Sequence, residues 1–145
     1  MIAGIEPARA MDGGSVGDIL SEAVDARDWL PRLYSRAEEL AFADQMIAAG
    51  WVHVIRDDRR VLGFLALDRT ELHCLYIRAG FQGQGLGTAL MDRAKAQSDR
   101  LLLWSYAADQ AAQRFYTLHG FRQVGEGHGN DAGLPELRFE WTKDG

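Results

Sequence analysis

The feature that most constrains this chain is a crowd of glycines, Gly80, Gly83, Gly85 and Gly87, set between a strand-like run and a helix-like one. Leu72 to Ile77 has strand character, and beyond the loop Leu86, Leu90 and Ala94 recur at helical spacing as far as Gln97. Leu101 to Tyr106 then reads as a buried strand, so the segment is a strand, glycine loop, helix, strand unit. A helix N-terminus offers an anion its unpaired amides and the positive end of its dipole, and glycines let that backbone approach an oxyanion without Cβ contact. A side chain at Gly85 or Gly87 is therefore expected to block the approach of a pyrophosphate. Two phosphate loops fail against these residues. A Walker loop needs a lysine where Gly87 runs straight into Thr88, and G-x-G-x-x-G meets Thr88 or Leu90 where its third glycine belongs.

Around this unit the chain reads as one domain, 1–145, with an α/β (α+β) fold. Ile2 to Ala8 reads as a short strand and Asp18 to Trp29 as a helix that ends before Pro31. Ser35 with Glu38 forms a capping box for a helix over Arg36 to Ala49, whose apolar side holds Leu40, Phe42, Met46 and Ile47. Trp51 to Ile55 and Val61 to Leu67 make a hairpin across the charged turn Asp57 to Arg60. Asp109 can cap a helix running to His119 and closed by Gly120. Phe121 to Val124 and Leu137 to Trp141 are the last strands, separated by a glycine-rich loop, Gly125 to Gly133. The sheet is mixed, antiparallel at first and parallel at the glycine loop.

Charge and composition narrow the partners. A formal net charge of −5 argues against a nucleic-acid binder, which needs a dense basic face. The single cysteine, Cys74, builds neither a disulfide framework nor a cysteine zinc site, and the histidines show no ligand spacing, so no metal is expected. The segment Gly127 to Asp131 holds no second histidine or carboxylate cluster, and its glycines favour a turn or a cover over substrate. No run approaches the roughly 20 apolar residues of a membrane span, and the first ten residues lack an apolar signal core. The expected setting is reduced and cytoplasmic, away from membranes.

The pattern Gln-x-x-Gly-x-Gly of Gln82 to Thr88 resembles the GNAT N-acetyltransferase superfamily. Leu75-Tyr76-Ile77 is similar to the end of that family's fourth strand, and Phe115-Tyr116 followed by Gly120-Phe121 to its motif F-Y-x-x-x-G-F. The likeness covers roughly residues 51 to 124, and the ending from Leu134 to Trp141 is similar to a bacterial subgroup. It implies acetyl-CoA as donor, a primary amine as acceptor, and direct attack of one on the other in a ternary complex. It also implies a mainly antiparallel sheet with a central splayed parallel pair. The pantetheine arm lies in that gap like an added strand against Leu75, Tyr76 and Ile77. Gln82, Gly83, Gln84, Gly85, Leu86, Gly87 and Thr88 would hold the pyrophosphate, with the Thr88 hydroxyl adding one bond. Dimers through the last strands are frequent among similar proteins, and a homodimer is the assembly the resemblance suggests.

The same resemblance gives Tyr116 the role of protonating the departing thiolate, against its bland reading as a core aromatic. Asp109 stands where the family usually has an asparagine on the pantetheine arm. A carboxylate accepts but does not donate, so its capping role is an equal reading. For the proton that must leave the amine, Glu71 and His73 are candidates, because alternation puts both on one strand face with Leu75 and Ile77. Trp104 and Tyr106 can wall the acceptor pocket or pack as ordinary sheet aromatics, and Cys74 reads as a buried small residue. Two rivals stand beside this reading: a non-catalytic CoA-binding module, and a nucleotide-dependent oxidoreductase that the missing third glycine disfavours.

Overall fold

A computed structural model describes residues 4–145; the strand expected at Ile2 and Ala3 lies partly outside the described residues. The elements run β1 (Gly4–Pro7), α1 (Gly13–Asp25), α2 (Arg36–Ala48), β2 (Val52–Arg56), β3 (Val61–Asp68), β4 (Glu71–Ile77), α3 (Leu86–Gln97), β5 (Arg100–Tyr106), α4 (Gln110–Leu118), β6 (Arg122–Gly127) and β7 (Glu136–Thr142). They form one seven-stranded sheet in the order β1-β2-β3-β4-β5-β7-β6. Every neighbouring pair is antiparallel except β4 with β5.

Each face of the sheet buries its own cluster, as alternating side chains require. On one side Leu65, Leu72, Leu101, Leu103 and Phe139 pack with Leu90, Met91 and Ala94 of α3. On the other, Val52, Val54, Phe64 and Ala66 pack with Val16 and Ile19 of α1 and Ala43 of α2. The near-continuous apolar run of β3 follows from burial on both faces.

Three local expectations are corrected. The first helix begins at Gly13 and ends at Asp25, not over Asp18 to Trp29. Its glycines are contact residues: a Cβ on Gly17 would stand 3.1 Å from the Leu40 Cα, and one on Gly13 would overlap the Asp44 carboxylate. In α2 the buried positions include Glu39, whose carboxylate accepts from Ser21 Oγ and Arg32, while Leu40 stays 41% exposed. The last hairpin keeps pairing through Gly127, where a loop was expected, because a Cβ there would lie 3.2 Å from the Trp104 ring. The ring fills the space a side chain would need.

The parallel pair decides where a ligand can enter. β4 and β5 share one register pair, Glu71 with Leu102, supported by Leu102 N–H donating to the Thr70 carbonyl at 2.8 Å. Beyond that point toward Ile77 and Tyr106 the strands part, leaving main-chain groups without a ladder partner. Buried backbone groups are nearly always satisfied, so such a gap is a place for a bound strand-like group.

Candidate active site

A cleft of about 1120 Å³ crosses the sheet at this gap. Leu75, Ile77, Phe115, Tyr116, Gly87 and Thr88 line it from the α3 and α4 side, and Arg27, Trp29, Tyr76, Trp104 and Tyr106 from the α1 side.

At one mouth lies the glycine loop. Gly83 and Gly85 have φ of +77° and +82°, which L side chains adopt at a cost, and a Cβ on either would project into open space. Gly85 is the N-cap of α3, so the amides of the first helical turn face the cleft mouth with no intrahelical acceptor. Gln82 donates from Nε2 to the Ile77 carbonyl at 3.2 Å, tying the loop back to β4. Gly87 is small for another reason: its Cβ would meet the Phe115 ring at 3.4 Å, so it seats α3 against α4. Leu86 packs into the core, and Gln84 is exposed off the cleft wall. The Thr88 hydroxyl lies 3.3 Å from His119 Nε2, and the His119 carbonyl accepts from Lys95. Burial and the Lys95 charge hold the His119 imidazole below its ordinary pKa, against an opposing pull from Asp92.

Inside the cleft, Tyr116 projects from α4 with its ring against Phe115, Phe121 and Phe139. Burial, reinforced by the charges of Asp109 and Cys74 and opposed by Arg27, pushes its phenol up to about 12. It stays protonated at neutral pH. Asp109 uses both oxygens structurally: Oδ1 accepts from the Ala112 amide at 3.1 Å as N-cap of α4, and Oδ2 accepts from Arg27 Nε at 2.9 Å. Arg27 in turn lies over the Tyr76 ring at 5.3 Å. Burial pushes the Cys74 thiol up to about 12, which keeps it neutral.

The placement of Glu71 and His73 is corrected. Leu67 pairs with Leu72 and Ala66 with Cys74, which leaves His73 as the extra residue of a β-bulge. Leu72 therefore shares the face of Leu75 and Ile77, and Glu71 passes to the other side of the sheet. There both Glu71 oxygens accept from Arg138 at 2.7 Å, and Glu71 is not on the cleft wall. Both oxygens are thus taken by Arg138, and the structure does not place Glu71 where an amine in the cleft could reach it. His73 does reach the cleft, with its ring stacked on Trp51 at 4.8 Å.

The far end of the cleft is aromatic and acidic. Trp29, from the segment joining α1 to α2, meets Tyr106 edge to face at 5.3 Å, and Trp104 and Glu136 complete the wall. Tyr34 donates to Asp131, joining the α1–α2 segment to the β6–β7 loop. Arg27, Trp29 and Glu136 carried no local signal in the sequence, because each acquires its role only from residues far along the chain. Among the described residues no group of three or more His, Cys, Asp and Glu side chains gathers as a metal site, and no helix is long and apolar enough to cross a membrane.

This geometry has relatives. A family profile described as an acetyltransferase (GNAT) domain matches residues 48–123. The peptidyl-lysine N-acetyltransferase YjaB of Salmonella typhimurium is 30% identical over 137 residues, covering 93% of this chain and 94% of that one. Among solved structures, apo-form YjaB of Escherichia coli superimposes with a TM-score of 0.83 at 24% identity, over 97% of this chain and 98% of that one. YncA of Salmonella typhimurium, solved with its cofactor acetyl-CoA, gives a TM-score of 0.76 at 17% identity, over 100% of this chain and 96% of that one. The splayed pair, the glycine loop and the matched sequence agree: the chain belongs to the GNAT acetyltransferase family.

Proposed function

We propose that this chain transfers an acetyl group from acetyl-CoA to the side-chain amine of a lysine in a peptide or protein. The observation that carries the reading is the cleft itself, which joins an anion-suited loop, a strand gap and an aromatic pocket in one continuous channel. The donor fits these residues. Open space at Gly83 and Gly85 leaves room for a pyrophosphate over the first turn of α3, and the ladder-free edge of Leu75 to Ile77 suits the amide groups of pantetheine. When bound, acetyl-CoA supplies an acetyl group activated as a thioester.

The chain's own residues then do the rest. Leu75, Tyr76 and Ile77 align the donor by main-chain bonds, and the loop Gln82 to Thr88 anchors its anionic end, with the Thr88 hydroxyl available for one bond. Holding donor and amine on one sheet supplies the proximity that direct attack needs. Tyr116 delivers a proton to the leaving sulfur, a role suited to a phenol kept neutral inside the cleft. His73, directly or through water, takes the proton from the amine. Asp109 serves the donor indirectly, by fixing the start of α4 and thus Tyr116. The lysine acceptor is drawn from YjaB, the 30% identical relative, and residues 1–145 form the single domain that carries the activity.

The test is incubation of the full chain with acetyl-CoA and a lysine peptide, with thiol release and peptide mass followed together. Release of CoA coupled to gain of one acetyl group on lysine is expected. Release with no peptide acetylation, or acetylation confined to other amines, overturns the acceptor assignment.

A further inference from the structure

Among the described residues, one acid on the cleft wall has neither a hydrogen-bond nor an ion-pair partner. Glu136 opens β7 directly across from Tyr106, and its charge is among the causes that hold the Tyr106 phenol above its ordinary pKa, after burial. The nearest cation along the strand is Arg138; it feels the Glu136 charge, but its contacts lie elsewhere: both terminal nitrogens donate to Glu71 at 2.7 Å, and the guanidinium lies 5.0 Å from the Trp104 ring centre. Among the described residues Glu136 makes no side-chain hydrogen bond and no ion pair. A carboxylate with no hydrogen-bond or ion-pair partner on a cleft wall is free to make a charge-assisted contact with a cation that enters the cleft.

Its surroundings specify that cation. Trp29 and Tyr106 give flat apolar walls beside Trp104, which carries the Arg138 guanidinium over its ring, and the edge-to-face contact of Trp29 on Tyr106 sets one ring against the other. Such rings accept an alkyl stem along their surfaces and attract an ammonium over their faces. We infer that Glu136, within the box of Trp29, Trp104 and Tyr106, is the specificity-determining residue that selects the acceptor as an aliphatic ammonium, the lysine side chain, over neutral side chains of the same shape. The inference rests on the lysine reading above and adds the residue that enforces it. The Glu71–Arg138 pair acts as its support, because a released Arg138 would neutralise Glu136.

The experiment uses the full chain, acetyl-CoA and the blocked tripeptide acetyl-Gly-Lys-Gly amide. In Glu136→Gln the KM for the tripeptide should rise by at least about tenfold, the size expected for loss of one charge-assisted contact. Turnover at saturation and the KM for acetyl-CoA should hold, which a merely destabilised protein would not show. A tryptophan-fluorescence titration gives a readout apart from activity. The wild type should bind the lysine tripeptide more tightly than its norleucine counterpart by a similar factor, and Glu136→Gln should bind the two alike. Should Glu136→Gln fold poorly, Trp29→Leu, on the segment between the first two helices, removes the ring packed against Tyr106 and should raise the same KM. Lysine transfer with an unchanged KM in these variants overturns the inference alone. Transfer to other amines but never to lysine overturns the acceptor reading and the inference with it.

Discussion

Tyr116 shows how one residue holds a chemical and a packing role together. Its ring contacts Phe121 and Phe139 whether or not the hydroxyl is present, so Tyr116→Phe should leave thermal stability nearly unchanged. Turnover should fall by about 100-fold to 10,000-fold, the usual worth of a general acid. Steady-state thiol release with saturating donor checks this, and undiminished turnover would remove Tyr116 from the chemistry. Asp109 carries the opposite balance, since both its oxygens are spent on the fold. Asp109→Ala should cost about 0.5–2 kcal/mol through the lost cap, with a further loss from the unpaired Arg27. Asp109→Asn can still cap α4, so chemical denaturation of the two variants separates the cap from the charge. The sequence left capping and pantetheine contact equally open for this residue; Arg27, 82 positions earlier, was not in view.

At the scale of elements, the strand–loop–helix unit was legible because its determinants are neighbours in sequence. Gly85 must supply a left-handed N-cap for α3, and a Cβ there has open space, so the cost of replacing it is conformational. Gly85→Ala should lose about 1–2 kcal/mol of stability, the strain of a left-handed L-residue, and should bind CoA more weakly by tilting the first-turn amides. Calorimetric titration at a temperature where the variant is folded reads the second effect, and unchanged affinity would place the pyrophosphate elsewhere. The bulge in β4 was not legible. Alternation assumes one residue per pleat, whereas the pairing with β3 inserts His73 as an extra one and sends Glu71 to the other face.

For the whole molecule, a single sheet buries one cluster on each face, and Tyr116 and Cys74 sit partly buried against them. Burial raises the Cys74 thiol from 9.0 to about 12 and the Tyr116 phenol from 10.0 to about 12. A group whose folded pKa is raised contributes fully below its unfolded value, and that contribution is lost as pH climbs toward the folded one. Stability in urea should therefore hold to about pH 9 and fall steadily toward pH 12, with Cys74→Ala blunting the first part of the decline. A midpoint flat to pH 11 would contradict the raised thiol and phenol pKa values. Acetyl-CoA at about 100 times its Kd should add about 2.7 kcal/mol, a rise of roughly 5–10 °C in Tm for a chain of this size. Differential scanning fluorimetry checks it, with NAD as the control that should leave Tm unmoved.

By itself the sequence determined the glycine loop and the helix after it, the α2 capping box, the β2–β3 hairpin and the run from Phe115 to Phe121. Each is written in residues a few positions apart, where backbone geometry and periodicity act directly. Tertiary structure alone decided what those elements present to the cleft. It turned Glu71 away through a bulge chosen by the neighbouring strand, bound Arg138 to Glu71 across 67 positions, and left Glu136 without an ion-pair partner among the described residues, beside Tyr106. It also read Gly13 and Gly17 as contacts between helices where their local preference is to break one. Such outcomes depend on which distant groups come within hydrogen-bond or van der Waals range, and that is set when the two faces of the sheet close.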